Sequence, residues 1–212
     1  MAHFYKQPLR NELYRKLNKD KSVSHFFQTK YVGQCMAVIS DFHQFSEDKT
    51  HKGWEHWYRC TVGYKQLSYV TQRINLKHQY LDEDEVKQYV FYRVIGQTWN
   101  GYQREQLVMQ ELQDAFPNTE IIKTDFEKDH KYFIDAEIVK DGYIMLGIQI
   151  KPISYKIMSS VYQNKAKANH KEKNENYARM YAPYLYVYYD GDDIVDKEET
   201  INKINTIMHL NI

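Results

Sequence analysis

Two apolar segments separated by a short polar break place the strongest limit on how this chain folds. Residues 131–139 (KYFIDAEIV) and 143–151 (YIMLGIQIK) are rich in Ile, Val, Tyr and Phe, and Lys140-Asp141-Gly142 stands between them. β-Branched and aromatic residues favour strands, and a break that contains Asp-Gly is typical of a hairpin. Pro152 has no amide hydrogen for a strand ladder, so it ends the second segment. The sequence therefore predicts an antiparallel β-hairpin here.

Helices are predicted on both sides of this hairpin. In residues 5–18, Leu9, Leu13 and Leu17 recur at spacings of four, as on one face of an amphipathic helix. The other segments predicted to be helical are most of 51–94, and 101–116, 156–180 and 196–209, whereas 184–189 (YLYVYY) is predicted as a strand and 32–42 (VGQCMAVISDF) as a short apolar strand or buried segment. This order indicates an α/β fold with a central mixed β-sheet flanked by helices.

Length and composition narrow the class of protein. A chain of 212 residues fits one domain, with a mainly helical N-terminal part over 1–95 and a core over 96–212. Two cysteines argue against a disulfide framework and against a Cys-rich zinc module. No HExxH, P-loop or GxSxG motif occurs. No segment approaches the ~18 apolar residues of a membrane span, so we expect a cytoplasmic globular protein.

Glu105 lies on the apolar face of its predicted helix. Val108, Met109 and Leu112 follow it at i+3, i+4 and i+7, the positions that share a helical face with it. A buried carboxylate is costly unless it is protonated, paired with a cation or bound to a metal ion. Pairing with a Lys or Arg at the edge of the core is the structural interpretation, and metal binding is the functional one.

The end of the predicted hairpin collects polar residues on one face. Gln149 and Lys151 share the face opposite the Ile and Leu residues of their strand. A two-residue turn would place Asp135 opposite Ile148, on the wrong face, whereas a three-residue loop would place it opposite Gly147 and diagonal to Gln149. A β-bulge would also correct the parity. Asp135 and Gln149 therefore meet only if the loop or a bulge allows it.

Glu105, Asp135 and Gln149 would together offer hard oxygen ligands, and the backbone carbonyl of Ile150 would add a fourth. This is a partial shell of the kind that suits Mg²⁺, which keeps several waters and bridges to substrate phosphate. Lys151 would orient or deprotonate the attacking water and offset charge on the phosphate. A solvated strand-end lysine and a polar surface glutamine are the structural interpretations of Lys151 and Gln149.

Charge is uneven along the chain, although the net charge is only +1. Residues 151–179 contain seven Lys/Arg and two Glu, whereas residues 190–199 contain six acids and one Lys. A basic segment beside a strand end fits contact with a polyanion. A solvated helix face explains the same pattern.

An acid on a helix, then an Asp, then a hairpin that ends in Glu/Asp/Gln-x-Lys resembles the core of PD-(D/E)xK nucleases. The matching residues are Glu105, Ile134-Asp135 and Gln149-Ile150-Lys151, with Ile134 in place of the proline and Gln149 in place of the second acid. The longer stretches TWNGYQRE (98–105) and GIQIKPISY (147–155), with GWEHWY (53–58), are similar to the MjaI-type family of type II restriction endonucleases.

This resemblance implies a Mg²⁺-dependent endonuclease that cuts double-stranded DNA at a short specific sequence and leaves a 5′-phosphate and a 3′-hydroxyl. Glu105, Asp135, Gln149 and Ile150 would bind the metal ion, and Lys151 would assist the attacking water. A palindromic site calls for a homodimer. A cognate DNA methyltransferase would act in the same system without a stable complex. Phosphates would be contacted by Arg104, Lys156, Lys165, Lys167, Lys171 and Lys173.

Two alternatives stay open at this point. One is a PD-(D/E)xK nuclease of repair, recombination or phage defence that has no fixed-site specificity. The other is a catalytically inactive relative that binds DNA with a strong salt dependence. Because Gln149 carries no charge, the site would hold a metal ion less tightly than a version with Asp or Glu.

Overall fold

The computed structural model describes residues 11–27, 32, 35–157 and 161–210. The chain divides into two compact units, with the boundary between Gln103 and Arg104. The first unit is helical and the second contains the β-sheet. In the described part of the chain, no helix is both long and apolar enough to cross a membrane.

The first unit is built from successive helices. They are α1 (Asn11–Lys19), α2 (Lys21–Phe26), α3 (Cys35–Phe45), α4 (His51–Thr61), α5 (Lys65–Lys77), α6 (Glu83–Phe91), a π-helical turn (Tyr92–Gly96) and the first part of α7 (Gln97–Ala115). The side chains of Asp20, Thr50 and Asp82 cap α2, α4 and α6 by accepting from first-turn amides. The helical prediction for 51–94 is confirmed, and the helix predicted over 5–18 is present from Asn11, the earlier residues lying outside the described part.

The core of the first unit is largely aromatic. Its fully buried side chains include Phe42, Trp54, Tyr58 and Tyr89. Residues 32–42 were predicted to be a short apolar strand or a buried segment: the strand is wrong from Cys35 onward, because these residues form α3, and the buried segment is confirmed. Val38, Ile39 and Phe42 are buried at helical spacing. A short apolar run does not by itself distinguish a strand from a buried helix.

The helical backbone is continuous from Glu83 to Ala115. α6 passes through the π-helical turn into α7, which contains most of the helix predicted over 101–116. The indole N–H of Trp54 donates to the carbonyl of Ile95 at 3.1 Å, so a carbonyl inside the π-helical turn has a partner on α4. α7 ends just before Pro117, which cannot continue a helix.

The second unit is a five-stranded mixed sheet with helices on both faces. The strands are β1 (Glu120–Lys123), β2 (Ala136–Lys140), β3 (Tyr143–Pro152), β4 (Tyr184–Asp190) and β5 (Asp193–Ile194), in that spatial order. β3 and β4 are parallel and the other neighbours are antiparallel. The helices are the rest of α7, α8 (Phe126–Tyr132), α9 (Ile153–Ile157), α10 (Val161–Met180) and α11 (Lys197–Leu210). The predicted α/β class with a mixed sheet is confirmed.

Apolar side chains hold these helices on the two faces of the sheet. On one face, Val108 and Leu112 of α7 and Ile204 of α11 pack on residues of β2, β3 and β4. On the other face, Tyr177 of α10 lies over β3, so close that a Cβ added to Gly147 would be 2.5 Å from a ring carbon of Tyr177. The glycine therefore lets α10 approach the strand.

The first strand of the hairpin is shorter than predicted. Residues 131–135 were expected to be extended, but Lys131 and Tyr132 end α8, and Phe133 adopts a left-handed conformation with φ of 54°. β2 begins only at Ala136. Asp125 caps α8 by accepting from Lys128 N at 2.7 Å, so the acidic start of a helix was present in the sequence. The apolar Tyr132-Phe133-Ile134 run instead predicted a strand at this position.

Candidate functional site

A β-bulge shifts the register of the hairpin before its end, where Asp135 and Gln149 lie. The hairpin turn is the two-residue form, with Asp141 and Gly142 both at positive φ. Lys140 pairs with Tyr143, and the register then shifts between Ile138 and Val139. The pairing after the bulge (Glu137 with Gly147) ends at Ala136 with Ile148, so Asp135 comes directly before the paired residues of β2 and Gln149 directly after Ile148. Of the two ways to correct the parity, the molecule uses the bulge.

The bulge also changes which side chains share a face of β3. The strict alternation predicted one face for Ile144, Leu146, Ile148 and Ile150. Met145 and Leu146 instead both pack into the α7 side of the sheet, while Ile144 packs with Tyr177 on the other side. Beyond the bulge, the predicted alternation holds, because Ile148 and Ile150 lie in the core and Gln149 and Lys151 on the opposite face.

Asp135 is held firmly at the end of the hairpin. It is only 8% exposed, and its Oδ2 accepts from Ile150 N at 2.6 Å and lies 3.5 Å from Lys151 Nζ. Its own N–H donates to Ile148 O at 2.9 Å, and its carbonyl accepts from Thr124 N at 3.2 Å. The predicted neighbours Asp135 and Lys151 are therefore in direct electrostatic contact.

Gln149 is fully buried, with 0% exposure. Neither Oε1 nor Nε2 of its carboxamide has a hydrogen-bond partner among the described residues. Buried amide groups are almost always paired, because an unsatisfied one costs about 1–3 kcal/mol. Gln149 is therefore the clearest sign that a ligand belongs at this position.

Glu105 reaches β1 from the first turns of the part of α7 that belongs to the second unit. Its side chain is 18% exposed and its Oε2 accepts from Lys123 Nζ at 2.9 Å. Burial raises the pKa of Glu105, the Lys123 ammonium opposes this rise, and the charge of Asp135 adds to it. The structural interpretation, a carboxylate paired with a cation, is correct. The same carboxylate nevertheless interacts electrostatically with Asp135 and Lys151.

Lys151 is protonated in this arrangement. Burial by itself lowers the pKa of its ammonium, but the charges of Asp135, Glu105 and Asp129 outweigh burial and raise the pKa overall. A lysine with a raised pKa is suited to orient water and to balance negative charge. It is poorly suited to remove a proton.

Asp129 is an acidic residue that interacts electrostatically with Asp135 and Glu105, and the sequence interpretation did not include it. It lies on α8, one turn before Phe133, and is half-buried. Burial, then the charges of Asp135 and Glu105, raise the pKa of Asp129 to about 7, against the opposing effect of Lys151 and Lys123. The acidic start of α8 would have revealed a helix here, and the strand prediction prevented it.

Glu137 is a second buried acid near the site, and it has its partners. It is 7% exposed, Tyr177 Oη donates to its Oε1 at 2.6 Å, and Lys128 Nζ lies 2.5 Å from the same oxygen. These contacts join α8, α10 and β2. The carboxylate of Glu137 therefore has hydrogen-bond and ion-pair partners and stabilises the fold, in contrast to the carboxamide of Gln149.

The predicted phosphate-contacting residues are spread along α7, α9 and α10. Arg104 Nε donates to Gly191 O at 2.9 Å, and its NH2 lies 3.9 Å from Asp192. Lys167 and Lys173 donate to the carbonyls of Lys156 and His130, at 3.3 and 2.9 Å. The Lys156 ammonium lies 5.6 Å from the ring centre of Tyr188, and Lys171 pairs with Glu175 at 3.7 Å on the surface. The side chain of Lys165 lies outside the described part.

The donor set fits a hard divalent cation. Carboxylate and carboxamide oxygens are the ligands that Mg²⁺ and Ca²⁺ prefer, and the unpartnered Gln149 Oε1 supplies one of them. Among the described residues, no three His, Cys, Asp or Glu side chains are grouped closely enough to hold an ion by themselves. The carboxamide and a backbone carbonyl would therefore have to complete the shell.

Hard oxygen donors beside a protonated lysine, at the end of a mixed sheet, are typical of metal-dependent nucleases. The profile of the MjaI restriction endonuclease family matches residues 15–204. The chain therefore belongs to this family and is a type II site-specific deoxyribonuclease, a hydrolase that acts on double-stranded DNA. Searches of the curated proteins and of the solved structures gave no match.

Proposed function

We propose that this restriction endonuclease is a Mg²⁺-dependent enzyme of the PD-(D/E)xK type, with its nuclease core in residues 96–212 and its catalytic site at the end of the β2–β3 hairpin. Glu105, Asp135, Gln149 and the carbonyl of Ile150 would hold the metal ion. The observation that carries the proposal is the buried carboxamide of Gln149, which has no partner among the described residues and precedes Ile150, whose N–H donates to Asp135 Oδ2.

A bound Mg²⁺ would supply Lewis-acid stabilisation of charge on the scissile phosphate. Lys151 would orient the attacking water through its ammonium N–H groups and offset the negative charge that develops on the phosphate oxygens. Asp135 Oδ2, 3.5 Å from Lys151 Nζ, keeps that ammonium in place. Burial of Gln149 and Asp135 excludes bulk water from the side facing the protein core.

The substrate contacts would replace internal contacts of the basic side chains. Arg104, Lys167 and Lys173 now donate to backbone carbonyls of the chain itself, and a DNA phosphate would offer each of them a charged acceptor instead. Lys156, Lys165 and Lys171 would add charge along the same helical segments. We further propose a homodimer on a palindromic target in the cytoplasm, with a methyltransferase protecting the host DNA.

The test is cleavage of several supercoiled plasmids with Mg²⁺, with EDTA, and by the Lys151→Ala and Asp135→Asn variants. Lys203→Ala serves as a matched control, because Lys203 makes an exposed pair with Glu199 on α11 and is not among the residues proposed for the site or for DNA contact. Discrete fragments that require Mg²⁺ and disappear with both site variants are expected. Diffuse nicking would favour a nuclease without fixed-site specificity. Salt-sensitive DNA binding without cleavage would leave an inactive relative.

A further inference from the structure

The turn between α8 and β2 has an unusual backbone and leads to Asp135, an acid of the proposed site. Asp129 precedes the turn by one helical turn, and Asp135 follows it within two residues. Between them Phe133 has φ of 54° and ψ of 44°, a left-handed conformation that residues with a side chain seldom adopt. Such a turn keeps its shape only where surrounding contacts hold it.

Asn174 of α10 supplies those contacts. It is fully buried, and its Nδ2 donates to the carbonyl of Tyr132 at 2.9 Å and to the carbonyl of Phe133 at 3.0 Å. Its Oδ1 accepts from Tyr186 Oη at 2.7 Å. Both N–H groups and the carbonyl of this carboxamide are therefore used.

The third contact ties the turn to the strand next to Gln149. Tyr186 lies on β4, where it is the register partner of Gln149 on β3. One buried side chain thus connects the turn that carries Asp135 with the strand that flanks Gln149. Because α10 is attached to the sheet independently, through Tyr177 and Glu137 at 2.6 Å, Asn174 is not needed merely to keep that helix in place.

We propose that Asn174 is a positioning residue of the metal site, which sets the position of Asp135 relative to Gln149. This inference rests on the proposed function. Without the Asn174 contacts, the left-handed turn at Phe133 relaxes, and the carboxylate of Asp135 no longer lies beside the other proposed metal ligands. Metal affinity then falls, while the affinity for DNA changes little.

The test uses two matched Tyr→Phe variants. Tyr186→Phe removes the hydroxyl that donates to Asn174 at 2.7 Å, and Tyr177→Phe removes the hydroxyl that donates to Glu137 at 2.6 Å. Both delete one hydroxyl near α10, and the Tyr186 hydroxyl also has a hydrogen bond with that of Tyr155. Only the first touches the Asn174 network. Asn174→Ala and the near-isosteric Asn174→Leu remove the network altogether.

Two quantities are measured for each variant that retains the wild-type circular dichroism spectrum. One is the Kd for Mn²⁺ alone, from the free-ion electron paramagnetic resonance signal, and the other is the Mg²⁺ concentration that gives half-maximal cleavage. We expect Asn174→Ala and Asn174→Leu to raise both by about 10-fold or more, as changes behind metal ligands commonly do. Tyr186→Phe should raise both by a smaller factor and Tyr177→Phe should leave both unchanged. KM for DNA at saturating Mg²⁺ should stay constant.

Equal shifts in Tyr186→Phe and Tyr177→Phe, or no shift in either Asn174 variant, would overturn the inference. If neither Asn174 variant folds, the comparison of the two Tyr→Phe variants decides. A failure of the proposed function gives a different pattern. In that case the wild-type protein would not bind Mn²⁺, or the Asp135→Asn variant would bind it as well as wild type does.

Discussion

At the scale of single residues, the burial of Gln149 without a hydrogen-bond partner among the described residues indicates a ligand site and not a purely structural position. A buried amide with no partner destabilises the fold, and only a ligand offsets that cost. We therefore expect Gln149→Leu to raise the stability of the metal-free protein by about 1–3 kcal/mol and to abolish cleavage. Urea unfolding in EDTA, beside a plasmid assay, checks both effects. A variant that is less stable than wild type would show that the amide has a partner after all.

The control for this prediction is Asn174→Leu, which also replaces a buried carboxamide. Because Asn174 makes three hydrogen bonds, Asn174→Leu should lower the free energy of unfolding, whereas Gln149→Leu should raise it. Opposite signs for two chemically similar substitutions would separate an unsatisfied amide from a satisfied one.

The raised pKa of Asp129 predicts that the stability of the protein depends on pH. Its pKa in the folded protein is about 7, against roughly 4 in an unfolded chain. Between these values the folded state keeps a proton that the unfolded state has lost, so this carboxyl makes stability fall as pH rises from 5 to 8. Allowing for its partial exposure, the loss is about 1–2 kcal/mol.

The measurement is urea unfolding of wild type and Asp129→Asn at pH 5, 6.5 and 8 in EDTA. The variant should gain stability relative to wild type as pH rises, because it has no charge to accommodate. A difference that is constant across the three pH values would contradict the raised pKa.

At the scale of elements, the close approach of α10 to β3 depends on Gly147. A methyl group there would lie 2.5 and 2.9 Å from ring carbons of Tyr177, so the helix would have to move. Gly147→Ala should therefore destabilise the protein by about 1–3 kcal/mol. Gly101→Ala is the control, since no atom lies within 4 Å of its added Cβ in α7, and Ala is the better helix former.

Denaturant midpoints of the two variants test this element-scale prediction. We expect Gly147→Ala to unfold at lower urea concentration than wild type, and Gly101→Ala at an equal or higher one. Equal destabilisation of both would mean that neither change reports on the packing of α10 against the sheet.

Part of this arrangement was predictable from the sequence, because local patterns determine it. The Gln149-Ile150-Lys151 strand end, the Asp-Gly turn and the helix that carries Glu105 follow from alternation, turn chemistry and helical spacing. The sequence allowed the bulge between Ile138 and Val139 only as one of two ways to correct the parity. The turn at Phe133 could not be predicted, since a non-local contact with Asn174 of α10 holds it, and Asn174 was missed for the same reason. Asp129 was missed because the apolar run after it predicted a strand where α8 lies.

At the scale of the whole molecule, a net charge of +1 gives no general attraction for DNA. Binding should therefore depend on a few local phosphate contacts. We expect Lys171→Ala, which removes an exposed cation paired with Glu175 at 3.7 Å, to weaken binding and to reduce the salt slope of log Kd by roughly 1.

Fluorescence anisotropy with a labelled duplex at several NaCl concentrations, in Ca²⁺ or EDTA, measures this slope. Lys203→Ala is again the matched control, because Lys203 makes a similar exposed i,i+4 pair with Glu199. An identical slope for the two variants would remove Lys171 from the DNA-contacting surface.

The bulge in the hairpin also has a consequence for how related nucleases are found in sequence searches. With a two-residue turn and no bulge, directly paired residues are separated by an odd number of positions, yet the paired residues Glu137 and Gly147 are ten apart. An even separation thus records an extra residue in one strand. Genome searches for diverged nucleases should accept both parities of this spacing. A pattern limited to one of them would discard true relatives whose hairpins reach the same geometry by the other route.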